Sequence, residues 1–151
     1  MSTAGTAIRN ADSLFDPGIV KIVMADFVDQ TPDPPNDGAG TAAGSKNRAG
    51  KGRAVYFSRS CVPFDRDGDP TERLSHDPPI YWHHLGLYAF RRSFLKWFAE
   101  SPPSTLEKVE KLEQLRAIEA GKRIVVAEVG PSMPGIDTAK DLEAFRRRAE
   151  S

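Results

Sequence analysis

Residues 80–90 read Ile-Tyr-Trp-His-His-Leu-Gly-Leu-Tyr-Ala-Phe, and a run this rich in aromatic and aliphatic side chains reads as a mostly buried strand. Side chains alternate along a strand, so His84, Gly86 and Tyr88 share one face while His83, Leu85 and Leu87 share the other. Gly86 removes bulk between two hydrogen-bonding side chains, and glycine inside a strand often marks close approach of a ligand or another backbone. At roughly 3.3 Å per residue, His84 and Tyr88 stand about 13 Å apart, room for a sugar-sized molecule. The same residues also read as a satisfied core histidine and an ordinary buried tyrosine.

Upstream of that strand, Ile19 to Met24 and Ala54 to Ser58 read as two further strands, a hairpin with an overlong tip. Between them, residues 30–52 hold 8 Gly and Pro in 23 positions and no large apolar side chain. Such a stretch buries too little to offset its ordering entropy, so Gln30 to Gly52 is expected to be a long disordered loop, an insertion or a functional segment. Downstream, a short helix with Ser93 as N-cap carries Phe94, Trp97 and Phe98 and stops at Pro102-Pro103. Ser104-Thr105-Leu106-Glu107 is a capping box that opens a longer helix running to Gly121. Arg123 to Val129 reads as a strand, and a last helix begins near Asp137-Thr138.

On the wheel of the longer helix, Glu113 falls between Leu106 and Val109, a carboxylate on an apolar side. It needs a partner there, either Arg116 one turn on or a ligand. Asp137, following Pro134-Gly135, reads as a helix cap more readily than as a metal ligand.

Lys and Arg number 21 against 21 Asp and Glu, for a formal charge of zero, so neither a nucleic-acid nor a membrane-surface partner is expected. A single cysteine, Cys61, excludes a disulfide framework, and with no apolar leader at the start the chain is expected in the cytoplasm. A chain of 151 residues is one domain or slightly less, able to bury roughly two thirds of its unfolded surface.

Three patterns are decoys. Asp65-Arg66-Asp67-Gly68-Asp69 opens like a calcium loop, but Pro70 stands where the turn needs Gly and His76 where a bidentate Glu belongs. The loop Gly38 to Gly44 has no strand feeding it and no amphipathic helix after it, so it lacks the scaffold of a phosphate cradle. His76, His83 and His84 lack the spacing of a zinc site.

Five blocks in order resemble the 3-deoxy-manno-octulosonate (Kdo) cytidylyltransferases, the CMP-Kdo synthetases of lipopolysaccharide precursor synthesis. They are Asp16 to Val23, Tyr56 to Asp67, His84 to Arg91, Leu112 to Arg116 and Pro134 to Thr138. The resemblance implies an α/β fold, the C-terminal part of a nucleotidyltransferase-like mixed sheet flanked by helices. It implies that residues 1–151 form the sugar-binding and dimerisation half, with 30–52 as a Gly/Pro-rich insertion. The substrates implied are CTP and Kdo, the products CMP-Kdo and pyrophosphate, the cofactor magnesium and the assembly a homodimer.

The sugar-site residues that the resemblance carries over are Arg59, His84, Tyr88, Glu113 and Gln114, and it makes Asp137 a magnesium ligand, against the cap reading. Arg59 suits the sugar carboxylate, and the others suit hydroxyls. The family's Gly-rich phosphate loop, cytosine pocket and first magnesium carboxylate match nothing in this sequence. The chain alone is therefore expected to be inactive. The alternative expectation is a non-catalytic sugar-acid-binding or assembly remnant that pairs with a separate nucleotide-binding partner. Half a sheet also implies an exposed edge, and with it aggregation, dimerisation or partial folding.

Overall fold

The computed structural model describes residues 1–29, 50–130, 143 and 145–147. The hairpin read from the apolar runs is present, formed by β2 (Lys21–Asp29) and β3 (Gly50–Ser58), antiparallel from Lys21↔Ser58 to Asp29↔Gly50. Its second strand starts earlier than the sequence implies, because Gly50, Lys51 and Gly52 belong to β3 rather than to the loop. Gly50 lies so close to the Phe27 ring that no Cβ fits there, so glycine here serves strand packing and not disorder. The rest of the expected loop, 30–49, lies outside the described residues, as do the glycines of the supposed phosphate cradle.

The strand read over residues 80–90 is β4 (Trp82–Ala89), but it is not mostly buried: Gly86 to Ala89 are exposed, Leu87 at 66%. The expected C-terminal strand is β5 (Val125–Glu128). Between them runs β1 (Ser2–Ala7), which the residue-by-residue reading does not anticipate, since Ser-Thr-Ala-Gly-Thr-Ala has no β-branched aliphatic side chain. β1 pairs antiparallel with β4 and parallel with β5. The strands therefore close into a ring in the order β1-β4-β2-β3-β5. Among the described residues the sheet shows no open edge of the kind expected from half a sheet, because β1 pairs with both β4 and β5.

Ile22, Phe57, Trp82, Leu112, Leu115, Ile124 and Val126 form the main core. A second cluster gathers Tyr81, Ile8 and Leu14, the last from α1 (Ala11–Phe15), with the free thiol of Cys61 at its margin.

The aromatic helix is α2 (Arg92–Glu100), but its N-cap is Arg91, with no side-chain cap, and not Ser93. The capping box forms as read: Glu107 accepts from the Ser104 backbone N–H at 3.1 Å and Ser104 Oγ accepts from Glu107 N–H at 3.4 Å. The helix it opens is shorter than expected. α3 (Thr105–Glu110) stops at Lys111, which takes the left-handed conformation at φ 57°, and α4 (Leu115–Glu119) follows after a turn. That break overturns the single-wheel reading of Glu113. Val109 is 74% exposed, while Leu112, Gln114 and Leu115 turn inward.

Among the described residues no helix is long and apolar enough to cross a membrane. The calcium-like segment spends its carboxylates locally, Asp65 on Arg73 at 2.8 Å and Asp69 on the backbone of Thr71 at 2.8 Å.

Candidate functional site

The strand that carries His84 and Tyr88 is not regular. Thr3 pairs with Tyr88 and Gly5 with His84, so two residues' advance along β1 is matched by four along β4. The surplus forms a bulge at Gly86, whose φ of +70° only glycine adopts without strain. A Cβ there would meet no protein atom within 4 Å, so backbone conformation and not crowding by the protein requires the glycine. The bulge also overturns the 13 Å separation estimated for an extended strand. His84 and Tyr88 have ring centroids 5.3 Å apart.

Both rings are held from several sides. Phe57 meets the His84 ring edge-on at 5.0 Å, and Tyr88 leads through Phe90 at 5.7 Å to Phe94 of α2. Thr3 Oγ1 lies 2.8 Å from His84 Nε2 and donates to the Leu87 carbonyl at 2.6 Å, bracing the bulge from β1. Burial, and secondarily the charge of neighbouring His83, push the His84 imidazole down to about 4. Burial and the negative charge of Glu113 push the Tyr88 phenol upward. At neutral pH the pair is uncharged and can exchange hydrogen bonds with hydroxyls.

Glu113 is exposed, in the turn between α3 and α4, and acts electrostatically on Tyr88. The Arg116 ion pair weighed for it does not form; Arg116 takes Glu107 instead, at 2.7 and 2.6 Å. Adjoining Glu113, Gln114 is 3% exposed and its Nε2 is buried without a hydrogen-bond partner. An unpaired buried amide costs about 1–3 kcal/mol, so such donors are rare in a settled core.

Arg59, half-buried at the end of β3, is placed differently. Its Nε donates to the Glu110 carbonyl at 3.1 Å and its Nη1 to the Pro17 carbonyl at 2.9 Å. The Glu110 carboxylate accepts from the Arg59 backbone N–H at 3.1 Å and from Ser58 Oγ at 2.7 Å. Lys21, fully buried, donates to the carbonyls of Asp16 at 2.6 Å and Arg59 at 3.0 Å. The structure thus brings His84 and Tyr88 into ring contact with Glu113 in electrostatic reach of Tyr88; Gln114 adjoins Glu113 in the turn, and Arg59 is attached through Glu110 at that turn's other end.

Sequence reasoning passed over Thr3, Lys21 and Glu110. Lys21 had a signal, a lone cation inside the apolar run Ile19 to Met24; Thr3 and Glu110 had none. Asp137 lies outside the described residues, and among those residues no group of three His, Cys, Asp or Glu side chains is arranged to hold a metal.

A model of the cytidylyltransferase family matches residues 2–124, from β1 to the foot of β5. The chain belongs to that family. It is 47% identical over 151 residues to a 3-deoxy-manno-octulosonate cytidylyltransferase of Rhodopirellula baltica, covering all of this chain and 51% of that one. It is 39% identical over 153 residues to the protein of the same description from Xanthomonas euvesicatoria, covering 50% of it. A solved structure described as CMP:2-keto-3-deoxy-manno-octonic acid synthetase complexed with CTP superimposes with a TM-score of 0.69 at 32% identity, over 99% of this chain and 48% of that one. The chain thus spans about half the length of the cytidylyltransferases it matches. The shared fold covers the bulged strand, the Arg59 turn and the Glu113–Gln114 turn alike.

Proposed function

We propose that this chain supplies the sugar-acid side of a Kdo cytidylyltransferase. One observation carries the reading. An uncharged imidazole–phenol pair stands within electrostatic reach of Glu113, and beside Glu113 a buried amide donor is unused. Hydroxyl groups of a polyhydroxylated acid complement such a set, and the edge of the Arg59 guanidinium not taken by the Glu110 and Pro17 carbonyls suits its carboxylate.

In the reaction, the anomeric oxygen of the sugar attacks the α-phosphorus of CTP. The new O–P bond forms as the bond to the β-phosphate oxygen breaks, pyrophosphate leaves, and the hydroxyl proton passes to solvent. The residues of this chain hold and orient the sugar for that attack, a contribution of position rather than of acid–base chemistry. Magnesium, when bound, would offset phosphate charge, and the resemblance makes Asp137 the carboxylate that would hold it. Homodimer formation through this half belongs to the same reading.

Calorimetry with 3-deoxy-manno-octulosonate and no CTP tests the assignment. The 151-residue chain is expected to bind the sugar acid, and Tyr88→Phe to weaken binding about tenfold through one lost hydrogen bond. No heat with Kdo, or binding of another sugar acid in its place, overturns the substrate. Release of pyrophosphate from CTP and Kdo should be negligible, since no donors to the triphosphate are recognisable in the sequence. Turnover like that of a full-length relative would overturn that part, and turnover restored by a separate nucleotide-binding chain would favour assembly from two chains.

A further inference from the structure

The Thr3 hydroxyl carries one proton, and its two neighbours decide where that proton lies. The Leu87 carbonyl, 2.6 Å away, can only accept. The hydroxyl proton is therefore committed to Leu87, and Thr3 Oγ1 faces His84 Nε2, 2.8 Å away, as an acceptor. A bond on that side needs the ring proton on Nε2. A neutral imidazole has one N–H, so Nδ1 is left with the lone pair.

We propose that Thr3 is a positioning residue that fixes His84 as its Nε2–H tautomer, making Nδ1 an acceptor that selects a sugar hydroxyl able to donate. The inference rests on the sugar-acid reading for its ligand but not for its tautomer. Its consequence is selectivity. His84 Nδ1 can only accept, so it distinguishes a hydroxyl, which can donate to it, from a keto or ether oxygen, which cannot. The bulge makes this possible, because it brings Leu87 O and His84 Nε2 to the same hydroxyl on the neighbouring strand. In a regular strand those two groups would stand a full residue pair apart and one threonine would not reach both.

Nitrogen-15 NMR of the histidine-labelled full chain reads the tautomer directly. In the unmodified chain His84 is expected to show its proton on Nε2 and an unprotonated Nδ1. Thr3→Val, which keeps shape and removes the hydroxyl, should give a mixture of tautomers and about tenfold weaker binding of Kdo, the size of one hydrogen bond. Thr3→Ser should restore both. A proton on Nδ1 in the unmodified chain overturns the proposal with no variant needed, as does Thr3→Val leaving tautomer and affinity unchanged. If the tautomer responds as described while no chain binds Kdo, the tautomer assignment stands and the sugar-acid reading fails.

Discussion

Arg116 and Gln114 lie two residues apart at the start of α4, and they show opposite ways of keeping a polar side chain inside a fold. Arg116 places four of its five N–H donors: both Glu107 oxygens and the carbonyls of Phe98 and Ser101 accept from it, and its guanidinium lies over the Phe98 ring at 4.3 Å. That clasp ties α2, α3 and α4 into one unit. Gln114 is buried as deeply as the core around it and leaves its amide nitrogen unused. A satisfied charge holds structure together, whereas an unsatisfied buried neutral donor is free to receive something else.

The largest effect expected is in the clasp. With side chains only 14% and 11% exposed, the Arg116–Glu107 pair is mostly out of water. Arg116→Met should lower unfolding free energy by about 3 kcal/mol by urea denaturation, because it strands a carboxylate and two carbonyls. A loss below about 1 kcal/mol would place Arg116 with ordinary surface ion pairs and blur the contrast.

The next effect separates the regions by pH. The folded chain holds the His84 imidazole down at about 4, whereas in the unfolded chain it titrates near 6.5. Between those values the unfolded state binds a proton that the folded state refuses. Stability is then fully present above about 6.5 and falls as the pH drops toward 4, by on the order of 2 to 3 kcal/mol. His84→Gln should flatten that window. Glu107, held below the usual carboxylate range chiefly by its hydrogen bonds from Arg116, adds a loss only at lower pH, as the medium falls through its folded value. Stability of the unmodified chain that is level from pH 7 to 4 would mean that His84 is not sealed from water.

The smallest effect sharpens the comparison most. Gln114→Met removes an unpaired buried amide at nearly constant volume, so unfolding free energy should stay within about 1 kcal/mol of the original or rise. Kdo affinity should fall nonetheless. A clear loss of stability would show that Gln114 is structural after all, like Arg116.

Much of this was legible in the residues. The apolar, β-branched and aromatic runs Ile19 to Met24 and Ala54 to Ser58 located the hairpin, and Ser104-x-x-Glu107 located the start of α3, since strand composition and capping are satisfied within a few residues. The conformation of Lys111 was not legible. Periodicity alone carried the helix through to Gly121, and it was burial of Leu112 and Leu115 that turned the chain there. The separation read for His84 and Tyr88 was wrong, because a regular strand keeps apart two rings that the bulge at Gly86 brings into tilted contact.

The sequence by itself determined where the cores of β2 to β5 lie and where α3 begins. Those follow from side-chain composition and capping, which act over one or two turns of chain. Through its motifs it also named the family and the polar side chains assigned to the sugar. Only the tertiary structure decided that β1 closes the ring, that Arg116 takes Glu107 in place of Glu113, and that one threonine governs a histidine 81 positions away. Pairing partners, desolvation and the direction of a single hydroxyl proton depend on what lies alongside in space, and no local pattern of residues encodes them.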